Sequence, residues 1–326
     1  MSSESAVKLI DDLGSEHPLA RYRAVDALSA RREEVFDAIV DLLVRGNAYQ
    51  RAGAAEILGR WHDARTFDHL VGGLKDSDPS VRARCIEALG SLNDPRAETP
   101  LLLVLQDAYP EVRAWAVDVL GRLKSRTARQ ALYAILEDSD PNARWHAADA
   151  LARSDGKRAI ARLMPMLNDP DPGVRALVAE LLGRLRARTS LTRLVDLLLD
   201  RDYQVRWRAA DALVAIGDAR VAARIISQLK HTDMGVRWRA AYILGGLKSK
   251  RALKPLLAAL DDPDAQVRGR VAEALGNLGD RRALDALQAR SNDDALAGHL
   301  GLVGEIARAA IEQIEKSPRR KATRRT

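Results

Sequence analysis

Tryptophan and arginine are the residue types in this chain with the clearest capacity for recognition chemistry. The 326 residues include only five Trp, beside six Tyr and two Phe. Trp207 and Trp238 are each followed by Arg, and Trp145 is followed by His146. Trp and Arg dominate the binding energy of many protein interfaces. These residues are therefore the first candidates for a functional surface, provided that the fold places them on one face.

The residue types that catalysis requires are sparse and poorly spaced. None of the six His is followed by Glu, so the sequence contains no repeated pair of metal ligands. No glycine-rich phosphate-binding loop opens a strand–helix unit. The single Cys85 has no base at triad spacing. We therefore expect no enzymatic activity, no catalytic residue, no metal and no cofactor.

The composition favours a helical protein in a reducing compartment. Aromatic residues make up only 4% of the chain, and Ala and Leu, the strongest helix formers, supply much of its 47% hydrophobic content. One Cys excludes an internal disulfide framework, and no signal-peptide or membrane-spanning pattern is visible. We expect a cytoplasmic protein that does not bind membranes.

The positive charge is concentrated at the C-terminus. The net charge of +7 comes from 52 Lys and Arg against 45 Asp and Glu. The last eleven residues hold six basic and no acidic residues, which leaves 46 basic against 45 acidic residues in the body. The body thus lacks the basic balance typical of nucleic-acid-binding proteins. Residues 316–326, which we predict to be a disordered tail, offer non-specific phosphate contacts to nucleic acid.

An internal repeat organises the rest of the chain. The pair Val81-Arg82 recurs in steps of 31 residues from Gln50-Arg51 to Val267-Arg268, with few changes of residue type. The first unit, at Ala20-Arg21, precedes Gln50 by 30 residues, and the last, at Ile306-Ala307, follows Val267 by 39. We name its first residue the anchor and give other positions as offsets from it. The anchors of the ten units are Ala20, Gln50, Val81, Val112, Ala143, Val174, Val205, Val236, Val267 and Ile306.

The spacing of apolar residues predicts two helices in each unit. Apolar residues at offsets 0, +4, +8 and +11 fall on one helical stripe, which defines an inner helix. Leu or Ile at offsets −11 and −7 forms the stripe of a preceding outer helix. Between them stands a capping Asp, often followed by Pro, as in Asp78-Pro79. In the last unit, Ser291 to Asp294 predicts the start of a longer helix that ends near residue 315.

A helical hairpin of this size cannot bury its own apolar face. Stacked hairpins bury these faces together, which predicts an all-α fold, a right-handed α-solenoid of about ten hairpins over residues 1–315. The unit carries the pattern D-x-D-P-x-V-R-x-x-A-x-x-A-L-G, seen most clearly from Ser77 to Gly90. This pattern resembles the short HEAT-like repeats named for the phycobilisome lyases. The resemblance implies an armadillo-like superhelix used mostly for protein binding, with a few catalytic relatives.

Residues that recur in register are interpreted as structural. The Arg at offset +1 recurs in nine of ten units, and we expect it to pair with loop carboxylates or helix ends of a neighbouring unit. Glycine at offset +9, as at Gly90, is expected to allow close helix packing. Cys85 and Trp61 occupy the buried offsets +4 and +11, so we expect both in the core.

Aromatic residues that break the register mark the candidate binding surface. Ala is the commonest residue at offset +2, where Trp145, Trp207 and Trp238 occur in three units, while Trp115 lies at +3 and Tyr242 at +6. Offsets −1, +2, +3, +6 and +10 are expected to be exposed on the concave side of the solenoid. The alternative is that the rings lie flat over Ala-rich neighbours and only cover the stack. The predicted partner-binding residues are Trp115, Trp145, His146, Trp207, Arg208, Trp238, Arg239 and Tyr242.

Two functions follow from this surface. The first is a non-enzymatic scaffold that binds a protein partner on its concave Trp/Arg face. The second is nucleic-acid binding, because the pairs Trp145 with Asp149 and Trp207 with Asp211 resemble the concave site of HEAT-like alkylpurine DNA glycosylases. HEAT-like deoxyhypusine hydroxylases bind iron through His-Glu pairs, which this chain lacks.

Overall fold

A computed structural model describes residues 5–316 of the protein. Its regular structure is helical, with 20 α-helices and ten short 3₁₀ segments in this range. The only β-type contact in the same range is an isolated bridge between Leu296 and Leu302. The predicted all-α solenoid class is confirmed. Residues 317–326, and with them most of the predicted tail, lie outside the described residues, whereas Lys316 ends the last helix.

The helices form two compact bodies, residues 1–159 and 160–326, which we call the first and the second unit. Each helical hairpin within them is called a repeat. In each unit the even-numbered helices are the predicted inner helices, and the odd-numbered ones are the outer helices. The first unit contains α1 Ala6–Leu13, α2 Pro18–Ser29, α3 Arg32–Arg45, α4 Ala48–Trp61, α5 Phe67–Gly73, α6 Pro79–Leu92, α7 Glu98–Val104, α8 Pro110–Leu123, α9 Arg126–Ile135 and α10 Pro141–Ser154. The second contains α11 Ile160–Leu163, α12 Pro172–Arg184, α13 Leu191–Asp196, α14 Tyr203–Ile216, α15 Ala222–Gln228, α16 Met234–Leu247, α17 Leu253–Ala259, α18 Ala265–Leu278, α19 Leu284–Ala289 and α20 Val303–Lys316.

The predicted apolar stripes form the core of each unit. The anchor Val81 and Leu89 at offset +8 are fully buried. The residue at offset +8 is buried in every repeat, and so are the anchors from Val81 to Val267, whereas Ala20, Gln50 and Ile306 are half-buried. Cys85 is also fully buried, and burial raises the pKa of its thiol to about 12, so the thiol stays protonated and acts as a small apolar group. Trp61 stacks on Phe36 with ring centroids 5.7 Å apart and donates its indole N–H to the Ser29 carbonyl.

The ends of the inner helices are set by local hydrogen bonds. The carboxylate of Asp171 accepts the Val174 N–H at 3.0 Å and caps α12, as the Asp-Pro pattern predicts. At offset +12 the chain leaves the helix in the left-handed conformation. The sequence does not reveal this helix end, because several repeats have a residue other than glycine there, including Asn93 at φ 50° and Lys248 at φ 48°.

The predicted start of the final helix is wrong. The segment from Ser291 onward is irregular, and α20 begins only at Val303. Two glycines with positive φ, Gly298 at 59° and Gly301 at 90°, interrupt a continuous helix. Asp293 binds Arg268 of the preceding repeat instead of capping a helix.

Close approach of inner helices explains the glycines at offset +9. A methyl group added at Gly183 would lie 2.7 Å from the Cα atom of Ala212 on the next inner helix. Gly59 stands in the same relation to Ala88, at 2.8 Å. The predicted role of these glycines in close packing is confirmed.

A bidentate Arg–Asp contact links successive hairpins. Arg82 donates Nε–H and Nη2–H to the two carboxylate oxygens of Asp107 at 2.7 and 2.8 Å, and Nη1–H to the Asp76 carbonyl at 2.8 Å. Asp107 also accepts the N–H of Tyr109 in its own loop. The same contact, always 25 residues along the chain, joins Arg51–Asp76, Arg113–Asp138, Arg175–Asp200, Arg237–Asp262 and Arg268–Asp293. We call this series the Arg–Asp ladder; it confirms the predicted pairing of the offset +1 arginines.

The ladder carboxylates remain ionised despite partial burial. Burial alone would raise the pKa of Asp107, but hydrogen bonds from Arg82 and from the Tyr109 backbone outweigh it and lower the pKa. A lowered native pKa means that the contribution to stability is complete above the ordinary carboxyl pKa of about 4. It is lost as the pH falls through the lowered native value.

The first prediction concerns the ladder. Asp107→Ala should lower the free energy of unfolding by about 2–4 kcal/mol, because it leaves the largely buried Arg82 guanidinium without its carboxylate. Urea unfolding monitored by circular dichroism gives this value. Asp41→Ala, which removes an exposed pair with Arg45, should cost less than about 0.5 kcal/mol.

The same comparison at low pH checks the electrostatic cause. The difference between the natural protein and Asp107→Ala should shrink as the pH falls below about 4, since the carboxyl group of the unfolded chain then binds a proton before the native Asp107, whose pKa is lower, does so. A difference that is constant from pH 7 to pH 3 would contradict the ionic origin of the effect.

The second prediction concerns helix spacing. Gly183→Ala should destabilise the protein by about 1–3 kcal/mol because the new methyl group collides with the Ala212 backbone. Gly72→Ala is the matched control: it lies within α5 with no atom within 4 Å of an added Cβ, so it should raise stability by about 0.5–1 kcal/mol. Equal effects of the two substitutions on the urea midpoint would contradict the steric argument.

Candidate functional site

In the first unit, the predicted indoles are exposed on inner helices. Trp115 on α8 is 43% exposed and Trp145 on α10 is 37% exposed. Trp115 borders a groove of about 390 Å³ that is also lined by Pro79, Ala83 and Tyr109. The Trp145 indole meets the His146 ring edge-on, with centroids 5.0 Å apart. These side chains present aromatic surface to solvent, as predicted.

In the second unit, three predicted aromatic residues form one stack. The rings of Trp207 and Trp238, on the neighbouring inner helices α14 and α16, have centroids 5.4 Å apart. Tyr242, one turn after Trp238, stacks on Trp207 at 5.4 Å with an interplanar angle of 18°. All three rings are half-buried. Part of their surface therefore packs within the unit, as the covering alternative supposed, and part remains open.

A buried arginine supports this stack from the next helix. The guanidinium carbon of Arg270, on α18, lies 4.2 Å from the centre of the Trp238 ring and 5.4 Å from that of Tyr242. Its Nη1–H is donated to Glu273 at 2.6 Å. Burial lowers the pKa of Arg270. The ring faces compensate in part for this lost hydration, since they attract a cation. We call Trp207, Trp238, Tyr242 and Arg270 the aromatic stack.

The hydroxyl group of Tyr242 fixes the stack to the preceding helix. It donates a hydrogen bond of 2.7 Å to Asp211 of α14. Burial, followed by this hydrogen bond and the charge of Asp211, raises the pKa of Tyr242 to about 12. The hydroxyl therefore stays protonated at neutral pH and keeps the donor that holds the two helices in register.

The predicted arginines differ in exposure. Arg208 is exposed and forms an ion pair with Glu180 at 3.1 Å. The structure buries Arg239, which is only 7% exposed, as well as Arg270, although both occupy the offset +3 that the pattern predicts to be exposed. On α18, the rings of Trp238 and Tyr242 lie against the Arg270 guanidinium and cover it. Arg239 is therefore a lining residue and not part of an open face.

One position of the ladder is irregular, which was not predicted from the sequence. Arg206 occupies offset +1, but 25 residues later the chain has His231 where a ladder Asp is expected. Four buried side-chain N or O atoms lack a hydrogen-bond partner among residues 5–316, and they belong to Arg206, Gln228, Arg239 and Arg270. The signal was present in the sequence, because comparison of the units at this register position would have revealed the His.

The carboxylates of the DNA-glycosylase-like pattern are already engaged. Asp149 pairs with Arg153 at 2.9 Å, and Asp211 accepts the Tyr242 hydroxyl. Within residues 5–316, no group of three or more His, Cys, Asp or Glu side chains is arranged to hold a metal ion. In the same range no helix has both the length and the hydropathy that crossing a bilayer requires.

Comparison with known proteins agrees with the repeat structure. A family model of HEAT repeats matches residues 36–102, 98–171, 160–233 and 222–297. No curated protein matches the sequence significantly.

Several solved structures are similar in fold. Importin β aligns with a TM-score of 0.75 and 16% identity over 97% of this chain and 52% of that chain. Yeast Kap95p, in a structure concerned with its binding to RanGDP, aligns at 0.71 and 14% over 95% of this chain and 49% of that chain. The Escherichia coli protein YibA aligns with a TM-score of 0.55 and 21% identity over 81% of this chain and 96% of that chain. The chain thus spans about half the length of the importin-β chains, and identities this low indicate a shared fold alone.

The third prediction tests the aromatic stack by titration. The ultraviolet absorbance of tyrosinate in the natural protein minus that in Tyr242→Phe should stay near zero up to about pH 11 and rise around pH 12. Asp211→Asn should lower the pKa of Tyr242, because it removes the carboxylate that binds the hydroxyl proton. A difference signal that is complete by pH 10 would show that the hydroxyl is neither buried nor bound to Asp211.

Proposed function

The chain belongs to the HEAT-repeat family, and from this premise we propose that it is a non-enzymatic scaffold that binds a protein partner through the Trp/Arg faces of its inner helices. The repeat fold is typical of protein-interaction scaffolds, and Kap95p, which shares it, binds RanGDP. The partner we propose is an extended segment or a helix. That these faces line the concave side of a solenoid stays a prediction.

One observation carries this proposal: large aromatic surfaces occur at offsets +2 and +3, where the other repeats carry mainly Ala and Arg, respectively. Trp115 and Trp145 expose 43% and 37% of their surface in the first unit. In the second unit, Trp207 and Trp238 are held in place by Tyr242. A purely structural ring would be expected in every repeat, since every repeat packs on a neighbour in the same way.

The rigidity of the aromatic stack supports binding in a second way. Side chains that are ordered before the partner arrives lose little entropy on association. The stack is fixed by the hydrogen bond from Tyr242 to Asp211 and by Arg270 over Trp238. The half-buried rings still offer edges and part of their faces, as expected for anchoring residues near the centre of an interface.

Nucleic-acid binding is the less favoured function. The carboxylates that base-excision chemistry would use, Asp149 and Asp211, already have partners in the protein. The body of the chain is nearly neutral, and the basic residues 317–326 lie outside the described structure. No feature of the described inner helices favours a phosphate-tracking groove.

The fourth prediction tests the scaffold function. Trp207→Ala combined with Trp238→Ala should weaken partner binding at least about tenfold, as expected when two hot-spot residues are truncated. The partner is first captured from native cell extract with the natural protein and identified by mass spectrometry. The affinity of the purified partner is then measured by titration calorimetry for the natural and variant proteins.

Two controls make this result specific. Leu103→Ala removes an apolar side chain that is 74% exposed on the outer helix α7, outside the proposed faces, and should leave the affinity unchanged. Trp115→Ala with Trp145→Ala tests the first unit separately. If both double variants keep their helical circular-dichroism signal and bind the partner with natural affinity, these faces are not the binding surface.

A further inference from the structure

The one gap in the Arg–Asp ladder of the second unit lies beside the aromatic stack. In the regular contact, Arg237 donates Nε–H and Nη2–H to Asp262 at 2.6 and 2.9 Å. At the equivalent place, Arg206 faces the register position of His231. His231 performs half of the role of a ladder Asp: its Nδ1 accepts the Asp233 N–H at 3.0 Å, as Asp262 accepts that of Asp264. It does not supply a carboxylate to Arg206.

Arg206 keeps the remaining contacts of a ladder arginine. Its Nη1–H groups are donated to the carbonyls of Asp200 and Arg201, both at 2.9 Å. Its Nε is buried without a partner, and Nη2 makes no hydrogen bond to any described residue. The side of the guanidinium that binds a carboxylate in six other repeats is therefore the side left unpaired.

A second arginine beside this gap also lacks a partner. Arg239 is 7% exposed, its Nε is buried without a hydrogen bond, and its guanidinium lies near Gly235 at the start of α16. Burial and the charge of Arg206 lower the pKa of Arg239, while Asp233 and Tyr203 act in the opposite direction. Buried cationic groups are normally paired, and these two are close enough to repel each other.

We propose that Arg206 and Arg239 form a binding site for a carboxylate side chain of the partner, so that an acidic residue of the bound segment replaces the missing ladder Asp. This rests on the proposed scaffold function, since the acidic residue belongs to the segment bound at the adjacent Trp207 and Trp238. Arg206 is half-buried beside the exposed residues His231 and Tyr203, so a carboxylate approaches the site from the side of Arg206. Tyr203 is 58% exposed, and its ring centre lies 5.7 Å from the guanidinium carbon of Arg206.

The ladder itself indicates a carboxylate. Each regular contact accommodates one planar, bidentate Asp, and Arg206 has kept the backbone contacts that orient its guanidinium for such a partner. A second cation, Arg239, increases the attraction for an anion. Asp233 is an acidic group near the site. Its carboxylate accepts the backbone N–H groups of Gly235 and Val236 and is therefore held at the start of α16.

The fifth prediction uses the full-length protein and simple anions as probes. The Nε–Hε resonances of Arg206 and Arg239, assigned by substitution to Lys, are followed by NMR during titration with sodium acetate, inorganic phosphate or sodium chloride at equal ionic strength. Acetate should shift both resonances in a saturable manner, and chloride should not. A six-residue aspartate peptide should bind at least about tenfold more tightly than the matching asparagine peptide, because hydrogen bonds from an arginine to a carboxylate are stronger than those to a neutral amide.

His231→Asp is the matched control, since it supplies the missing ladder carboxylate within the chain. This variant should remain helical and lose the response to acetate and to the aspartate peptide. An equal response in the natural protein and in His231→Asp, no saturable shift in the natural protein, or a response to phosphate alone would each overturn the proposal. These titrations need no natural partner, so their outcome is independent of whether the Trp variants lose partner binding.

Discussion

The structure of each unit depends on the bidentate contact between an arginine and an aspartate 25 residues further along the chain. The arginine belongs to one hairpin, and the aspartate organises the loop that starts the inner helix of the next. Hydrophobic stripes bring helices together but allow neighbouring hairpins to slide. A planar guanidinium that meets a planar carboxylate, with further donors to backbone carbonyls, permits little sliding. The ladder therefore fixes the register in which the apolar faces pack.

The sequence was sufficient to predict the repeat, the helices and their caps, because each unit repeats the same local rules. It predicted that the offset +1 arginines pair, although not with which residue. The left-handed turn at offset +12 could not be predicted, since residues such as Lys248 adopt it without any glycine signal. The start of α20 was missed because Asp293 looks like a helix cap but is used by Arg268.

The candidate surface was predictable only in part, because exposure depends on what neighbouring repeats contribute. The indoles were found from their departure from an Ala-rich position. The burial of Arg239 depends on residues that are close in space but distant along the chain, and the offsets within one repeat do not show those residues. The support that Arg270 gives to Trp238 comes from a different helix and has no signature along the chain. A residue that departs from the repeat pattern is therefore best interpreted together with the residues of the adjacent hairpin.

The constant 25-residue separation has a bearing on how such chains change in length. Loss of the 31 residues that follow Arg51 or Arg82, for example, brings the aspartate of the next hairpin to the same place, so that excision or duplication of such a repeat preserves the Arg–Asp contact. Loss of residues 207–237 would even bring Asp262 to Arg206 and close the gap that now lies there. Gain or loss of whole repeats can thus preserve the Arg–Asp contacts. A single recombination event that removes one repeat could also remove the irregular position at His231.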